Sequence, residues 1–236
     1  MKERPILFSA PMVRAILDGS KTQTRRTAKI TRVDGHPERP DLQIATLSNG
    51  RQGWLNCQAD HPSHISTFCP YGQPGDRLWV RETWNVTHHS QLAPGENIAK
   101  SAEDCVRDNN GFMPSCAEGV VYAADGVTSH PVHGKARWRP SIHMPRWASR
   151  ILLEIVSVRV ERLQDISEDD AQAEGIAYSE RFCGYCIGEA EHFNSHDPRQ
   201  SYFSLWEAIN GAGSVIANPW VWVVEFRRVE PTEVKP

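Results

Sequence analysis

The hydrophobic residues at the start of the chain alternate between a strand pattern and a helix pattern. Ile6-Leu7-Phe8 predicts a first strand, and Ser9 predicts the N-cap of a short amphipathic helix. Gly19 is typical of the residue that ends such a helix. The polar, basic segment from Lys21 to Arg26 follows and predicts a second strand. The chain therefore opens with a strand–helix–strand unit.

The clearest strand pattern runs from Ile151 to Leu163, and its alternation changes phase between Ile155 and Val156. Such a change predicts a bulge or a bend, which is how small barrels turn their corners. Other short segments predict three further strands and two helices: strands at Arg77–Trp84, Val120–Tyr122 and Val221–Phe226, and helices after Ser167 and over Ser201–Asn210.

Three long segments carry little periodicity and are rich in polar residues: 35–74, 90–117 and 178–200. Irregular connections of this length are uncommon in compact domains and are often functional. We therefore predict one domain over residues 1–230 with these three insertions and a flexible tail at 231–236. The predicted class is mixed α/β and rich in strands, a partly open β-barrel with short helices at its edges.

The composition indicates the cellular environment of the protein more than its chemical function. The net charge of −3 over 236 residues gives no bulk attraction to nucleic acid. No apolar run approaches the roughly 20 residues that span a bilayer, and the charged start does not match an export signal. We expect a cytoplasmic protein with no membrane partner, and its six cysteines are expected to be reduced thiols. Motifs of P-loop and Rossmann nucleotide binding, of α/β-hydrolases and of zincin proteases are absent from the sequence.

The segment from Lys21 to Arg26 contains the first candidate chemistry. A lysine that is partly buried beside Arg25 and Arg26 has a lowered pKa and can deprotonate a hydroxyl or a water. Lys21 and Thr24 would point to opposite faces of a regular strand, so they converge only if the chain turns here. The alternative is a solvated run of charge or a surface cluster that binds phosphate.

Glu82 is the second candidate, because the strand pattern over Arg77–Trp84 places it on the apolar face. A carboxylate on that face must be paired, or its pKa must rise. Glu82 is therefore either one member of a buried structural ion pair or an acid–base group.

The stretch from Lys135 to Arg150 combines five basic residues with two tryptophans and contains no acid. Basic residues interleaved with aromatic ones suit a nucleic-acid backbone with stacked bases. The alternative is a loop whose tryptophans pack on the core while its arginines pair with surface acids. The candidate binding residues, here and nearby, are Ser9, Arg25, Arg26, Arg81, Trp84, Arg137, Trp138, Arg139, His143, Arg146 and Trp147.

A zinc site is conceivable because Cys183 and Cys186 have the C-x₂-C spacing of a zinc knuckle or a redox pair. Cys57 and Cys69 are further candidate ligands. No second C-x₂-C follows, so four ligands cannot be chosen, and simple thiols are the expected state. We predict that no cofactor is required.

Several of these segments together resemble ASCH-domain proteins, in particular their larger branch carried by bacteriophages and prophages. The resemblance rests on four stretches spread over residues 5–222: Pro5–Arg26, Gly75–Trp84, Trp138–Arg150 and Asn218–Trp222. It implies a PUA-like barrel, the fold of a group of RNA-binding modules, and a bacterial host cell.

The resemblance also implies an activity. Some small ASCH proteins are amidohydrolases that remove the acetyl group from N4-acetylcytidine with a Lys, a Thr and a Glu. Their Gly-x-Lys-Thr-x-Thr segment matches Lys21 and Thr24, while Glu82 is our candidate for the acid on pattern alone. Other members bind RNA or act as nucleases. The expected partner is therefore RNA, single-stranded nucleic acid or a modified nucleoside, either hydrolysed or bound without catalysis.

Overall fold

A five-stranded sheet organises the protein, of which a computed structural model describes residues 1–28, 69–87, 119–126, 138–188 and 195–229. It also describes the backbone of four short strands at 42–46, 52–56, 129–130 and 134–135. The strands are β1 (Glu3–Leu7), β2 (Gln23–Thr27), β3 (Leu42–Thr46), β4 (Gln52–Asn56), β5 (Arg77–Arg81), β6 (Trp84–Thr87), β7 (Gly119–Tyr122), β8 (Ser129–His130), β9 (Gly134–Lys135), β10 (Leu152–Arg162), β11 (Ala177–Ser179), β12 (Gly184–Cys186) and β13 (Trp220–Arg228). The helices are α1 (Ala10–Leu17), α2 (Glu168–Ala173) and α3 (Pro198–Asn210). Single 3₁₀ turns lie at Ala123–Asp125, Ser141–His143, Arg146–Ala148 and Leu163–Asp165.

The main sheet has the order β1-β5-β10-β13-β2, in which β1 and β5 are parallel and the other pairs antiparallel. No closed barrel forms among the described strands. The two edge strands are nevertheless linked, because the Arg26 guanidinium on β2 donates to the Leu7 carbonyl of β1 at 2.7 Å. The predicted strand-rich, mixed α/β class is confirmed at this level.

The predicted bend in the long strand is confirmed. The register between β10 and β13 shifts between Ile155 and Ser157, and Val156 is exposed at this point while Ile155 is buried. The core lies between the sheet and the helices, where the apolar faces of α1 and α3 cover β10 and β13. The predicted opening unit is also confirmed, with Ser9 as the N-cap of α1 and Gly19 just past its end.

The strand predicted over Arg77–Trp84 is interrupted. β5 ends at Arg81, and β6 begins at Trp84 in a separate ladder with β7. Trp84 exchanges two backbone hydrogen bonds with Arg139, at 3.2 and 2.9 Å, and these bonds hold this part of the chain against the 138–150 loop. Glu82 therefore lies at the break and not within a continuous strand.

Two other sequence predictions need correction. The segment 178–200 was expected to be irregular, yet its first part contains the β11–β12 hairpin and its end begins α3, which Asp197 caps. Helical spacing predicts an apolar side of Phe203, Leu205, Trp206 and Ile209 for α3. Its buried residues are instead Pro198, Ser201, Tyr202, Leu205 and Trp206, and Ile209 is 55% exposed.

Other predicted segments lie wholly or partly outside the described residues. The segment 90–117 and the tail 231–236 fall there, while the segment 35–74 contains the antiparallel pair β3–β4. Of the helices that the structure describes, none is long and apolar enough to cross a membrane.

Candidate active-site pocket

Lys21 is a charged residue of the site whose side chain is fully buried. Its ammonium donates to the Glu174 carboxylate at 2.8 Å and to the Glu174 backbone carbonyl at 2.7 Å. The same nitrogen lies 5.7 Å from the centre of the Phe8 ring. Within the described residues, Glu174 is thus the ionic partner of Lys21.

The local backbone brings these two residues together. Lys21 donates its N–H to Ala15 at the end of α1, and it forms an isolated β-bridge with Glu174 at the end of α2. Gly175 follows with φ +94°, and a Cβ at that position would lie 3.0 Å from the Ala15 Cβ and 3.3 Å from the Lys21 Cβ. Glycine is therefore required here, because a side chain would push Glu174 away from Lys21.

Burial lowers the pKa of Lys21, because the charged amine loses its hydration. Glu174 opposes this shift through its charge and its hydrogen bond, and the charges of Arg26 and Arg25 add to the lowering. The net direction is downward, so the neutral amine is easier to form here than on an exposed lysine.

Arg25 is fully buried at its side chain and is surrounded by three carboxylates. It contacts Glu174 at 3.4 Å, Glu161 at 2.9 Å and Asp170 at 2.8 Å. Burial by itself lowers the pKa of Arg25, but the three acids outweigh it and the net pKa is raised. Its guanidinium is therefore occupied by acids of the same chain, although the sequence suggested it as a substrate contact.

A small pocket, open to solvent, lies beside this ion cluster. Thr24, Glu174 and Tyr202 form part of its polar wall. The hydroxyls of Thr24 and Tyr202 make no hydrogen bond within the described part of the chain, although both residues are more than 95% buried. The apolar wall consists of Met12, Leu205, Trp206 and Ile209.

The Tyr202 ring packs against Phe203 and Trp206, with ring centres at 6.3 and 6.2 Å. Burial raises the pKa of its phenol well above the usual value, and the negative charge of Glu174 adds to this effect. Tyr202 is therefore a neutral hydroxyl at the pocket wall, held in place by its neighbours.

Glu82 lies in a second ion cluster and does not contact Lys21. Its carboxylate accepts two hydrogen bonds from Arg150, both at 3.0 Å, and Arg150 also binds Asp125 at 2.7 and 2.9 Å. Burial raises the pKa of Glu82, while Arg150 counteracts part of the shift. Of the three residues proposed from the sequence, Thr24 shares a pocket with the partner of Lys21, and Glu82 belongs to another part of the fold.

Most of the basic loop is engaged within the protein. Arg146 pairs with Glu3 at 2.9 Å, and the guanidinium of Arg139 stacks 5.1 Å from the ring centre of Trp84. Trp84 is buried and meets Trp147 edge to face at 5.7 Å.

The other predicted binding residues are spread over the surface. Arg81 stacks on Trp79 at 4.6 Å and donates to the Ile142 carbonyl at 3.3 Å. Ser9 and His143 are exposed, and Trp138 is half-buried. Arg137 lies outside the described residues.

The cysteines give no ligand set. Cys183 is exposed and Cys186 buried, and their thiols donate to the carbonyls of Glu180 and Gly188 respectively. Among the described residues no group of three or more His, Cys, Asp or Glu is placed to hold a metal ion. Cys69 is half-buried and in the thiol form, and Cys57 lies outside this part of the chain.

Glu174 and Tyr202 are the residues that sequence reasoning missed. Glu174 occupies the C-cap of α2, where the negative end of the helix dipole disfavours an acid. An acid in that position, directly before a glycine, is a signal of a compensating cation. Tyr202 carried a weaker signal, since a tyrosine on the buried face of a helix usually finds a hydrogen-bond partner.

No family model, curated protein or solved structure matches the chain. The resemblance to ASCH-domain proteins therefore rests on the quoted segments alone, and the function has to be argued from the pocket.

Proposed function

We propose that the protein hydrolyses an amide-like bond on a modified nucleobase, of the N4-acetylcytidine type, in this pocket. The observation that carries the proposal is a buried Lys21–Glu174 pair next to a pocket that contains the free hydroxyl of Thr24. Under this proposal the open five-stranded sheet is the PUA-like barrel of an ASCH domain, and Glu174 takes the role that the sequence suggested for Glu82.

The reaction needs a base that can accept a proton at neutral pH. Burial lowers the pKa of Lys21 and so makes its neutral amine easier to form, and in this scheme the neutral amine accepts a proton from Thr24 or from a water that Thr24 positions. The oxygen then adds to the amide carbonyl and the bond from carbon to nitrogen breaks. The proton passes to the departing nitrogen, which leaves as the free exocyclic amine. With water as the attacking oxygen the other product is acetate; with Thr24 the acetyl group stays on its hydroxyl as an ester until a water hydrolyses it to acetate and restores Thr24.

Glu174 has two tasks in this scheme. Its carboxylate fixes the Lys21 nitrogen at 2.8 Å, and Arg25 holds the other carboxylate oxygen at 3.4 Å. It also offers a neighbouring site to which the proton on Lys21 can move. Glu174 is thus the orienting partner of the base and a proton shuttle.

The lining of the pocket is compatible with a nucleobase. It combines apolar residues, among them Trp206 and Leu205, with a few polar groups, a composition that is common in ligand sites. A pyrimidine bearing an acyl group can contact both.

The alternative of binding RNA or single-stranded nucleic acid through residues 135–150, without catalysis or as a nuclease, has less support. Arg146 and Arg150 are paired with acids of the same chain, so a phosphate would have to displace those carboxylates.

The test is a chromatographic assay of N4-acetylcytidine hydrolysis by the wild type, Lys21→Ala and Lys2→Ala. Lys2 is an exposed lysine outside the pocket and is the matched control. We expect turnover in the wild type and in Lys2→Ala, and a loss of about 10³-fold or more in Lys21→Ala. Turnover that survives in Lys21→Ala, while its thermal unfolding stays cooperative, would refute the mechanism. No turnover in the wild type, with the nucleoside or within a short RNA, would refute the reaction.

A further inference from the structure

Arg26 differs from its neighbour Arg25 in its partners. Both residues line the pocket, but Arg25 is surrounded by three carboxylates while Arg26 contacts none within the described residues. Two adjacent arginines at one pocket therefore have different electrostatic surroundings, and among the described residues Arg26 has no acidic partner.

The guanidinium of Arg26 is held in place with donors to spare. One of its terminal nitrogens donates to the Leu7 carbonyl at 2.7 Å, and its centre lies 5.3 Å from that of the Phe8 ring. These two contacts restrict the side chain but use only one of its five N–H groups. An oriented guanidinium with free donors fits the oxygens of a phosphate well.

The charge balance of the pocket points in the same direction. Glu174 is the one acid among its lining residues, and Lys21 and Arg25 already bind it. The polar side chains of Thr27 and Asn210 are exposed beside Arg26 and add no charge. An anionic group on the ligand would therefore meet the charge of Arg26 without facing an unpaired acid.

We infer that the pocket takes its base as a phosphate ester and that Arg26 binds the phosphate. This inference rests on the proposed function, because it assumes that a nucleobase occupies the pocket. The shared chemistry is a base with a phosphate on its sugar, and its source is either a free nucleotide or a nucleic-acid strand.

Binding of the deacetylated product tests the inference without requiring turnover. Calorimetry would compare cytidine, cytidine 5′-monophosphate and a trinucleotide of RNA with a central cytidine on the wild-type protein. We expect the monophosphate to bind about tenfold more tightly than the nucleoside, which is typical of one charge-assisted contact. This preference should shrink as salt is raised. Tighter binding of the trinucleotide than of the monophosphate identifies a strand as the source, and equal or weaker binding identifies the free nucleotide.

Three variants assign the effect to Arg26. Arg26→Gln should reduce the preference for phosphate to less than twofold, and Arg26→Lys should retain part of it. Arg14→Gln is the matched control, because Arg14 also makes a single side-chain bond to a backbone carbonyl, that of Ala124, but lies outside the pocket. The Arg14 variant should keep the full preference. Thermal unfolding of all three variants checks that the fold is intact.

The failures of the two proposals are distinguishable. Equal affinity for nucleoside and monophosphate, a preference that survives in Arg26→Gln, or no binding of any of the three probes overturns the inference about phosphate. A preference that depends on Arg26, in a protein that hydrolyses no acetylated substrate, leaves this inference standing and overturns the proposed reaction alone.

Discussion

Two buried glutamates have similar burial and different surroundings, one at the end of α2 and the other just after β5. Glu174 and Glu82 are 3% and 1% exposed, and each is held by basic side chains. Glu174 borders an open pocket, whereas Glu82 lies beside the packed cluster of Trp84 and Met144, where its N–H donates to the Met144 sulfur at 3.3 Å. Burial and pairing are therefore shared by both carboxylates, and the pocket beside one and the packed cluster beside the other distinguish them.

The two glutamates also differ in the basic residue that each one binds. Glu174 binds Lys21, whose pKa is lowered by burial against the opposing effect of Glu174, so this pair loses a proton more easily than an exposed lysine does. Glu82 binds Arg150, whose pKa is raised further by Glu82 and Asp125 despite its partial burial. A guanidinium does not release its proton in a protein, so Arg150 cannot serve as the base that Lys21 offers in the other pair.

The largest expected effect separates the two carboxylates by activity. Glu174→Gln should lower the rate of N4-acetylcytidine hydrolysis by about 10³-fold. Lys21 then loses its ionic partner, and the proton on Lys21 loses the carboxylate to which it can move. Glu82→Gln, an equal change in charge and shape, should leave the rate within about threefold and lower the thermal stability instead. The reverse pattern of rates would show that Glu82 is the acid, as the sequence suggested.

The next effect concerns the stability of the packed cluster of Trp84 and Met144. Trp84→Ala should cost about 3 kcal/mol of unfolding free energy, because it removes a ring that is 1% exposed and packed on Met144. This loss of unfolding free energy is at the lower end of the range for a buried tryptophan, because the indole N–H of Trp84 makes no hydrogen bond to the described residues. Urea denaturation measures this change.

Binding of cytidine 5′-monophosphate provides the contrast for Trp84→Ala. The affinity should be unchanged at a temperature where the variant is folded, because the pocket lies elsewhere. A loss of affinity larger than the loss of stability would mean that the two regions are coupled.

A smaller effect depends on pH and probes the acids behind the pocket. The contact of Asp170 with Arg25 holds the pKa of this carboxyl below its usual value, against an opposing effect of burial. A lowered folded pKa means that stability is present above the unfolded value and is lost as pH falls through the folded one. Asp170→Asn should therefore destabilise the protein by about 2 kcal/mol at pH 7, and the difference should vanish toward pH 2.

The pH dependence of unfolding gives the control for Asp170. Asp169, the neighbouring acid, is exposed in the same helix, and Asp169→Asn should leave the profile of the wild type unchanged. A difference between Asp170→Asn and the wild type that stays constant from pH 7 to pH 2 would contradict the ionic role of Asp170.

Local patterns predicted much of this fold because their causes are local. The phase change at Ile155, the cap at Ser167 and the unit that leads to Lys21 each follow from neighbouring residues, and the structure contains all three. The partner of Lys21 could not be found in this way. Glu174 is 153 positions further along the chain, and the spacing of apolar residues carries no information about such a contact.

The strand pattern did not predict the partner of Glu82, for a related reason. Alternation correctly placed its carboxylate on the buried side, but it does not say which buried cluster receives it. The backbone bonds between Trp84 and Arg139, two residues far apart in the sequence, decide that the chain turns toward Arg150 and away from Lys21.

The smallest expected effect on stability comes from Tyr202→Phe. The Tyr202 residue is 4% exposed and its hydroxyl makes no hydrogen bond to the described residues, so replacing tyrosine by phenylalanine removes no such bond. We expect the variant to be as stable as the wild type or more stable by less than about 1 kcal/mol, measured by urea denaturation.

The same substitution should weaken the binding of cytidine 5′-monophosphate severalfold, because an unpaired hydroxyl in a pocket is a donor reserved for a ligand. Stability and binding would then change in opposite directions, which is the mark of a group retained for function at the expense of the fold. A clear loss of stability, with binding unchanged, would instead place Tyr202 with Trp84 among the residues that only support the structure. The contrast between the pocket and the packed cluster of Trp84 and Met144 would then depend on Lys21 and Thr24 alone.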